Sequence, residues 1–175
     1  MRVCRRPPIV NYVSFEEVRL KEILPLVVSR SCDVIILVSD SVSPMDTREM
    51  MEKTGIMLGV VRDAGIPDNR ILVDPGLIHI TAEIGQQHLL EIKEFLRALP
   101  EAFESPVRSV CWLNNASAGV PESIRPVIET TLLLMLAELG LSAVFIDVLR
   151  PENMRTVRLI RVFNNQLVYA ESEII

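Results

Sequence analysis

The sequence predicts an α/β protein built on a parallel sheet, and three observations support this fold class. Short aliphatic segments alternate with longer segments whose apolar residues have helical spacing. Hydrophobic residues make up 49% of the 175 residues but aromatic residues only 5%, which is typical of strands filled with Val, Ile and Leu between helices. Polar side chains directly follow several of the strands, as they do where parallel strands end at a ligand site.

We predict five strands, each a short run of aliphatic or β-branched residues. They cover residues 8–13, 33–38, 71–73, 107–113 and 143–147. Residues 33–38 are apolar on both faces of the strand, which indicates helices on one side and further core on the other. The sheet is therefore expected to be covered rather than open to solvent.

Five helices are predicted to follow these strands. They cover residues 14–30, 46–65, 86–98, 122–139 and 151–163. Ser14 and Glu17 have the spacing of a capping box, Asp46 is a second capping signal, and Pro100 is expected to end the third helix. Strands that alternate with helices through short connections indicate right-handed βαβ units.

Composition excludes several classes of protein. The net charge of −5 argues against a nucleic-acid surface, and the longest apolar run, residues 132–137, is far too short to cross a bilayer. Three cysteines without metal-like spacing, and an N-terminus without the apolar core of a secretory signal, indicate a reducing, cytoplasmic setting. His79 and His88 do not have zinc-site spacing, so we predict no metal site. Residues 1–175 are interpreted as one domain.

Two strand ends carry the candidate site. Asp74, followed by Pro75 and Gly76, comes directly after the third strand, and the polar stretch 114–119 comes after the fourth. Because parallel strands end at the same edge of a sheet, we expect these side chains to share a pocket. From the residues alone, a turn is the favoured explanation of Asp74, and a loop amide that bonds its own backbone is the favoured explanation of Asn115.

Several segments resemble one known family, the pterin-binding methyltransferases that move a methyl group from methyltetrahydrofolate to a corrinoid protein. The similar segments are residues 73–77, 113–121, 139–143 with Asp147, and 8–11. The resemblance implies a partial TIM barrel of the pterin-binding, dihydropteroate-synthase-like superfamily. The chain would supply about five βα units, which correspond to the last five strands of the eight in the family's barrel.

The sequence departs from the family pattern in two respects. Asn114 stands where the family usually has Ser, although the following amide, Asn115, is kept. Strand alternation is expected to aim Asn114 away from the site. A further pterin-binding aspartate that the family carries on one of the first three strands has no counterpart here, so the predicted site is incomplete.

The resemblance also implies a role for each candidate residue. Asp74 would accept hydrogen bonds from the 2-amino group and ring N–H of the pterin, and Asn115 would donate to N5 as its methyl group leaves. Asn11 would bind the other polar edge of the pterin. Asp40, Ser117 and Asp147 are candidate contacts at the rim, for which a solvated loop, a local turn and a cap are the respective alternatives.

The implied activity is transfer of the N5 methyl of methyltetrahydrofolate to the cobalt of a cobamide that a corrinoid protein carries. This chain would bind no metal itself. Half a barrel leaves two unpaired edges, so we expect a homo-oligomer, a subunit that supplies the missing strands, or a longer chain. The alternatives are a truncated, non-catalytic relative that acts as a scaffold for a corrinoid or methyltransferase partner, and a dihydropteroate-synthase-like activity, for which no basic residue is placed to hold a pyrophosphate.

Overall fold

A computed structural model describes residues 5–38 and 46–171 of the chain. Within these ranges the strands are β1 (Ile9–Val13), β2 (Asp33–Leu37), β3 (Ile71–Asp74), β4 (Arg108–Trp112) and β5 (Ala143–Phe145). The helices are α1 (Glu17–Ser29), α2 (Thr47–Asp63), α3 (Gly85–Ala102), α4 (Leu113–Ala116), α5 (Arg125–Glu138) and α6 (Pro151–Phe163), with a short 3₁₀ turn at Asp68–Arg70 before β3.

The five strands form one parallel sheet in the order β1-β2-β3-β4-β5. Every strand pairs with the next one along the chain, and a helix lies between each pair, which is the arrangement of consecutive right-handed βα units. The predicted fold class is confirmed: the chain is an α/β half-barrel. In the described part of the sheet, β1 and β5 are the two edge strands.

The sheet has two different faces because successive side chains of a strand point to opposite sides. The outer face packs against the helices and forms the main core, to which Val34, Ile36, Val73 and Cys111 contribute. The inner face is a smaller apolar cluster of Ile35, Leu72 and Val110, bordered by Tyr12, Ala143 and Phe145. In a closed barrel the inner face would be the barrel interior.

The helix ends test the capping predictions. Asp46 caps α2 as expected, because its carboxylate accepts a hydrogen bond from the Glu49 N–H at 2.8 Å. The capping box at Ser14 is wrong: α1 starts at Glu17 with Glu16 as its N-cap, and the Ser14 hydroxyl reaches only the Glu16 N–H, at 3.5 Å. The residues after β1 are needed to carry the chain from the sheet to the helix layer.

Three element boundaries also differ from prediction. The helix α3 runs through Pro100 to Ala102, because this exposed proline lies in the last turn and removes only one hydrogen bond there. The strand β4 ends at Trp112, and the next residue already begins α4. The strand β5 ends at Phe145, so Asp147 lies beyond the sheet.

The helices bury one side each. In α3 the buried side chains are His88, Ile92, Phe95, Leu96 and Leu99. The more uniformly apolar helix α5 buries Leu132, Leu133 and Leu136. Its side chains Leu134 and Met135 are 43% and 40% exposed. Among the residues that the structure describes, no helix has the length and apolar character needed to cross a membrane.

Candidate functional site

The loops at the carboxyl ends of the strands enclose an open cup of about 350 Å³ on the inner face. The cup brings together three of the predicted site residues, Asp74, Asn11 and Asn115, although they come from three different strand ends. The residues that line it are Asn11, Tyr12, Leu37, Asp74, Gly76, Leu77, Ile78, Trp112 and Asn115. None of these is a lysine, arginine or histidine.

Asp74 is the last residue of β3 and the only acidic group in the lining of the cup. Its side chain is buried, and this burial raises the pKa of Asp74 to about 6, although a hydrogen bond from the Gly76 N–H opposes the shift. That N–H donates to Oδ1 at 2.9 Å. The other carboxylate oxygen, Oδ2, has no hydrogen bond from the part of the chain described. Asp74 therefore forms the expected turn and still has an acceptor for a ligand.

The Asp74 turn is held from behind by His88. This buried histidine of α3 places Nε2 3.0 Å from the carbonyl oxygen of Gly76, whose backbone has φ of 81°. A positive φ is strained for residues other than glycine, so the turn depends on Gly76. Sequence reasoning predicted a structural or exposed role for His88, and its spacing of four residues from Ile92 was the signal for burial.

Asn115 reaches the cup from a short helix rather than a loop. The four residues of α4 follow β4 without a connection, and both Asn114 and Asn115 are exposed. Only Asn115 lines the cup. Neighbouring residues of a helix point about 100° apart, which gives Asn114 the outward direction that we had predicted from strand alternation.

Asn11 enters the cup together with Tyr12 because the register of β1 shifts. Asn11 pairs with Ile35, whereas Val13 already pairs with Ile36, so one residue of β1 is extra. Strand alternation alone would send Asn11 and Tyr12 to opposite faces, yet both line the cup. Tyr12 was missed by sequence reasoning, since nothing in the sequence marks the shift.

Aromatic rings lie on the inner face of the sheet, and two of them, Trp112 and Tyr12, line the cup. Trp112, the only tryptophan of the chain, stacks on Phe145 with ring centroids 4.2 Å apart and an interplanar angle of 17°. The Arg19 guanidinium lies 4.9 Å from the ring centroid of Tyr12. Only 5% of the residues are aromatic, so three rings on one face are a concentration that the strand-end argument did not anticipate.

The remaining predicted contacts lie elsewhere. Ser117 is buried and absent from the lining of the cup, because its hydroxyl donates to the Glu129 carboxylate at 2.6 Å. Asp147 is exposed and accepts a hydrogen bond from the Leu149 N–H at 2.9 Å, which is the local cap we had considered. Asp40, with Ser39, lies outside the described residues.

Residues 5–38 and 46–171 contain no group of three or more His, Cys, Asp or Glu side chains that could hold a metal ion. His79 is exposed and its Nδ1 lies 2.8 Å from the Thr81 hydroxyl, while His88 binds the Gly76 carbonyl as described above.

No family model matches the sequence. Solved structures similar to this one include dihydropteroate synthase of Stenotrophomonas maltophilia with imidazole bound in its active site (TM-score 0.60, 15% identity, 87% of this chain and 60% of that chain). Dihydropteroate synthase of Xanthomonas albilineans is also similar, both with 4-aminobenzoic acid (TM-score 0.58, 15% identity, 84% and 54%) and with indole-2-carboxylic acid and 6-chloroguanine (TM-score 0.57, 18% identity, 83% and 54%). The chain thus spans little more than half the length of these enzymes, and its fold matches part of theirs.

Proposed function

We propose that this chain binds a reduced folate through its pterin ring and is a methyltetrahydrofolate:corrinoid protein methyltransferase or a subunit of one. The observation that carries the proposal is Asp74: a buried carboxyl with no cation in the lining of its cup shares that cup with two amides and two aromatic rings. A buried acid with one backbone hydrogen bond and no charged partner destabilises a fold and is typical of a site that receives further donors from a ligand.

The proposed role of Asp74 follows from the shape of the pterin ring. Its 2-amino group and neighbouring ring N–H form a flat pair of donors that matches the two oxygens of a carboxylate. Oδ2 has no partner in the described structure, and Oδ1 has one backbone bond that leaves a lone pair. With a pKa of about 6, Asp74 is ionised at neutral pH, and a carboxylate is a stronger hydrogen-bond acceptor than a neutral carboxyl group.

Asn115 is proposed to act at N5 of the folate. A methyl group on N5 leaves more readily if a donor stabilises the nitrogen as the bond to the methyl breaks, and an exposed amide beside the cup has such a donor. Asn11 would bind the polar edge of the ring opposite Asp74. The Trp112 ring, which lines the cup and is backed by Phe145, would stack against the flat ring.

The methyl acceptor in this proposal is a cobamide carried by a corrinoid protein, whose reduced cobalt is the nucleophile. The chain itself would orient the folate, polarise N5 and exclude water from the cup. The edges of β1 and β5 are unpaired in the described sheet, so we also propose that further strands, from another copy or another subunit or a longer chain, pair with them.

A second candidate is a dihydropteroate-synthase-like activity, because the similar structures named above are enzymes of that kind. One of them binds 6-chloroguanine, a flat bicyclic ring with an amino group, which resembles the head group proposed here. Such a reaction requires cations for a pyrophosphate leaving group, and the lining of this cup has no lysine or arginine. We therefore rank methyl transfer first.

Calorimetric titration with methyltetrahydrofolate tests the proposal. We expect one binding site per chain, and no binding by the variant Asp74→Asn at the same concentrations. Asn114→Ala is the matched control, since this neighbouring amide lies outside the cup and its loss should leave the affinity unchanged. Absence of heat at millimolar folate, for the chain alone and with any co-purified subunit, contradicts the proposal.

A second assay separates the candidate functions. Methylation of a cob(I)alamin acceptor in the presence of methyltetrahydrofolate supports methyl transfer, and its loss in Asn115→Ala supports the role of that amide. Product formed from pterin pyrophosphate and 4-aminobenzoate instead supports the synthase-like activity. Folate binding without either turnover, unaffected by Asn115→Ala, supports a scaffold.

A further inference from the structure

A buried polar network lies just behind the cup and is not used in the function proposed above. Its centre is Glu129 of α5, which is 3% exposed. The Glu129 Oε1 accepts the Ser117 hydroxyl at 2.6 Å, and Oε2 accepts the amide N–H of Asn153 of α6 at 3.3 Å. The sequence gives no hint of this contact, because a glutamate within a helix is normally a surface residue.

The network joins two loops at the carboxyl edge of the sheet. Ser117 directly follows α4, the short helix that carries Asn115. The same nitrogen of Asn153 also donates to the backbone carbonyl of Asp147, 3.1 Å away in the loop after β5. One carboxylate therefore connects the segments that leave β4 and β5.

The hydroxyl of Ser117 has a single proton and two acceptors within reach. The Glu129 oxygen is at 2.6 Å and the Asn114 carbonyl oxygen at 3.2 Å. The shorter distance and the carboxylate acceptor make the contact with Glu129 the stronger hydrogen bond. Glu129 thus fixes the Ser117 side chain at the end of α4, next to Ala116, whose carbonyl oxygen accepts the Ile80 N–H at 3.0 Å.

Burial of Glu129 lowers the stability of the fold, because its carboxylate loses its hydration. A leucine at position 129 would bury a similar volume without this cost. The helix α4 has only four residues and cannot hold its own direction. Its amide must nevertheless be fixed to within a fraction of an ångström for chemistry at one ligand atom. A buried anchor at its C-terminal end meets that need.

We propose that Glu129 is a positioning residue that fixes α4 and thereby the orientation of the Asn115 side chain. This inference rests on the proposed function, in which Asn115 contacts the folate. Glu129 itself touches no ligand, because it lies outside the lining of the cup. Its effect on binding is therefore indirect, and the proposal assigns that effect to the α4 side of the network, through Asn115.

The test is a double-mutant cycle with Glu129→Gln and Asn115→Ala, read by the change in Trp112 fluorescence on titration with methyltetrahydrofolate. Gln keeps the shape of Glu but has no charge, so the short charge-assisted hydrogen bond with the Ser117 hydroxyl is replaced by a weaker neutral one. We expect Glu129→Gln to weaken binding ~5-fold when Asn115 is present and less than ~1.5-fold when it is absent. Additive effects of the two changes would overturn the proposal.

Thr156→Val is the matched control. Thr156 is also a buried polar residue near this network, but its hydroxyl bonds the backbone of its own helix, at the Glu152 carbonyl 2.9 Å away. We expect this variant to leave folate affinity unchanged even where it lowers stability. If Glu129→Gln does not fold, Ser117→Ala removes the same link from the other side and is expected to give the same non-additive result with Asn115→Ala.

A second measurement does not depend on the ligand. Amide hydrogen exchange of residues 113–119 should be ~10-fold faster in Glu129→Gln than in Thr156→Val. Unchanged exchange there overturns the positioning role, whatever the folate data are. If the wild-type chain binds no folate but the exchange result is as expected, the proposed function fails and the link between Glu129 and α4 stands.

Discussion

The two ends of the inner face of the sheet each place an aspartate among polar groups, but in opposite ways. At the amino end, Asp33 at the start of β2 lies between two guanidinium groups, with Arg70 Nε 3.8 Å from Oδ1 and an Arg108 nitrogen 3.6 Å from Oδ2. At the carboxyl end, Asp74 has amides and rings around it and no cation in the cup. An apolar layer of Ile35, Leu72 and Val110 separates the two ends.

The difference indicates which aspartate serves the fold and which serves a ligand. Asp33 has two guanidinium groups beside it, so its charge is compensated by the protein without a bound molecule. Asp74 is buried with only one backbone hydrogen bond to compensate its charge, and burial raises its pKa to about 6. In barrels of parallel strands the amino end is generally structural and the carboxyl end functional, and the contrast between the two aspartates follows that rule.

The largest expected effect is on stability, from Asp74→Asn. The pKa of Asp74 is higher in the folded chain than in the unfolded chain, so ionisation of Asp74 lowers the free energy of unfolding. This destabilisation is fully present above pH ~6. It decreases as the pH falls toward the unfolded pKa and is nearly absent at pH ~3. From the shift of 3.8 to about 6, the variant should unfold with a free energy up to ~3 kcal/mol higher at pH 7.5 and less than ~1 kcal/mol higher at pH 4. Urea denaturation across this range measures both values, and a variant less stable than wild type at pH 7.5 would contradict the account.

The same substitution should weaken folate binding ~100-fold at pH 7.5, because a neutral amide replaces the charged acceptor and presents an N–H to the donors of the ring. Wild-type affinity should also fall by up to ~10-fold per unit as pH drops below about 6, as Asp74 becomes protonated. The Asp74→Asn variant should not have this pH dependence. Calorimetry at several pH values checks it, and equal pH profiles for the two proteins would rule out Asp74 as the acceptor.

A smaller effect is expected from removal of the Trp112 ring. Trp112→Leu removes the ring stacked on Phe145 and should lower folate affinity ~10-fold, the usual scale for loss of one aromatic stacking contact. Because the variant has no tryptophan, calorimetry is the appropriate measurement. Phe163→Leu is a control for aromatic loss in general, since this side chain is 74% exposed at the end of α6 and does not line the cup. An unchanged affinity of Trp112→Leu for folate would show that the Trp112 ring does not contact the ligand.

The smallest effect is expected at the other aspartate. Asp33→Asn should lower the free energy of unfolding by ~1 kcal/mol, since its ion pairs are long and its side chain is partly exposed. The direction is opposite to that of Asp74→Asn, and folate affinity should remain within ~2-fold of wild type. Urea denaturation and calorimetry on the two variants side by side provide the sharpest form of the comparison. A loss of binding in Asp33→Asn would mean that the two ends of the sheet are not independent.

Sequence reasoning captured the parts of the molecule that depend on local patterns. The aliphatic runs predict the five strands, and the carboxyl-edge rule places Asp74 and Asn115 around one cup, to which the family resemblance adds Asn11. The helix α4 was missed because four residues are too few for a periodic signal. The ends of β4 and β5 were set too late by the apolar residues that continue past them.

The features that sequence reasoning missed depend on contacts between distant segments. The pairing of Ser117 with Glu129 joins residues twelve positions apart across two elements, and it takes the serine out of the cup. Pro100 stays within α3 because it lies in the last turn, where a proline disrupts the helix less than it would in the middle. The shift in β1 that brings Tyr12 to the cup is a property of strand pairing, which a single strand does not encode.

The extra residue in β1 has a consequence for anything that assembles on that side of the sheet. An irregularity in a central strand would disturb two hydrogen-bond ladders, whereas at the edge it disturbs only the ladder with β2. A polypeptide that pairs with the outer edge of β1 therefore meets a backbone hydrogen-bonding pattern that shifts by one residue after Asn11. A straight, regular strand can follow β1 up to that residue, and to continue it must carry an irregularity of its own.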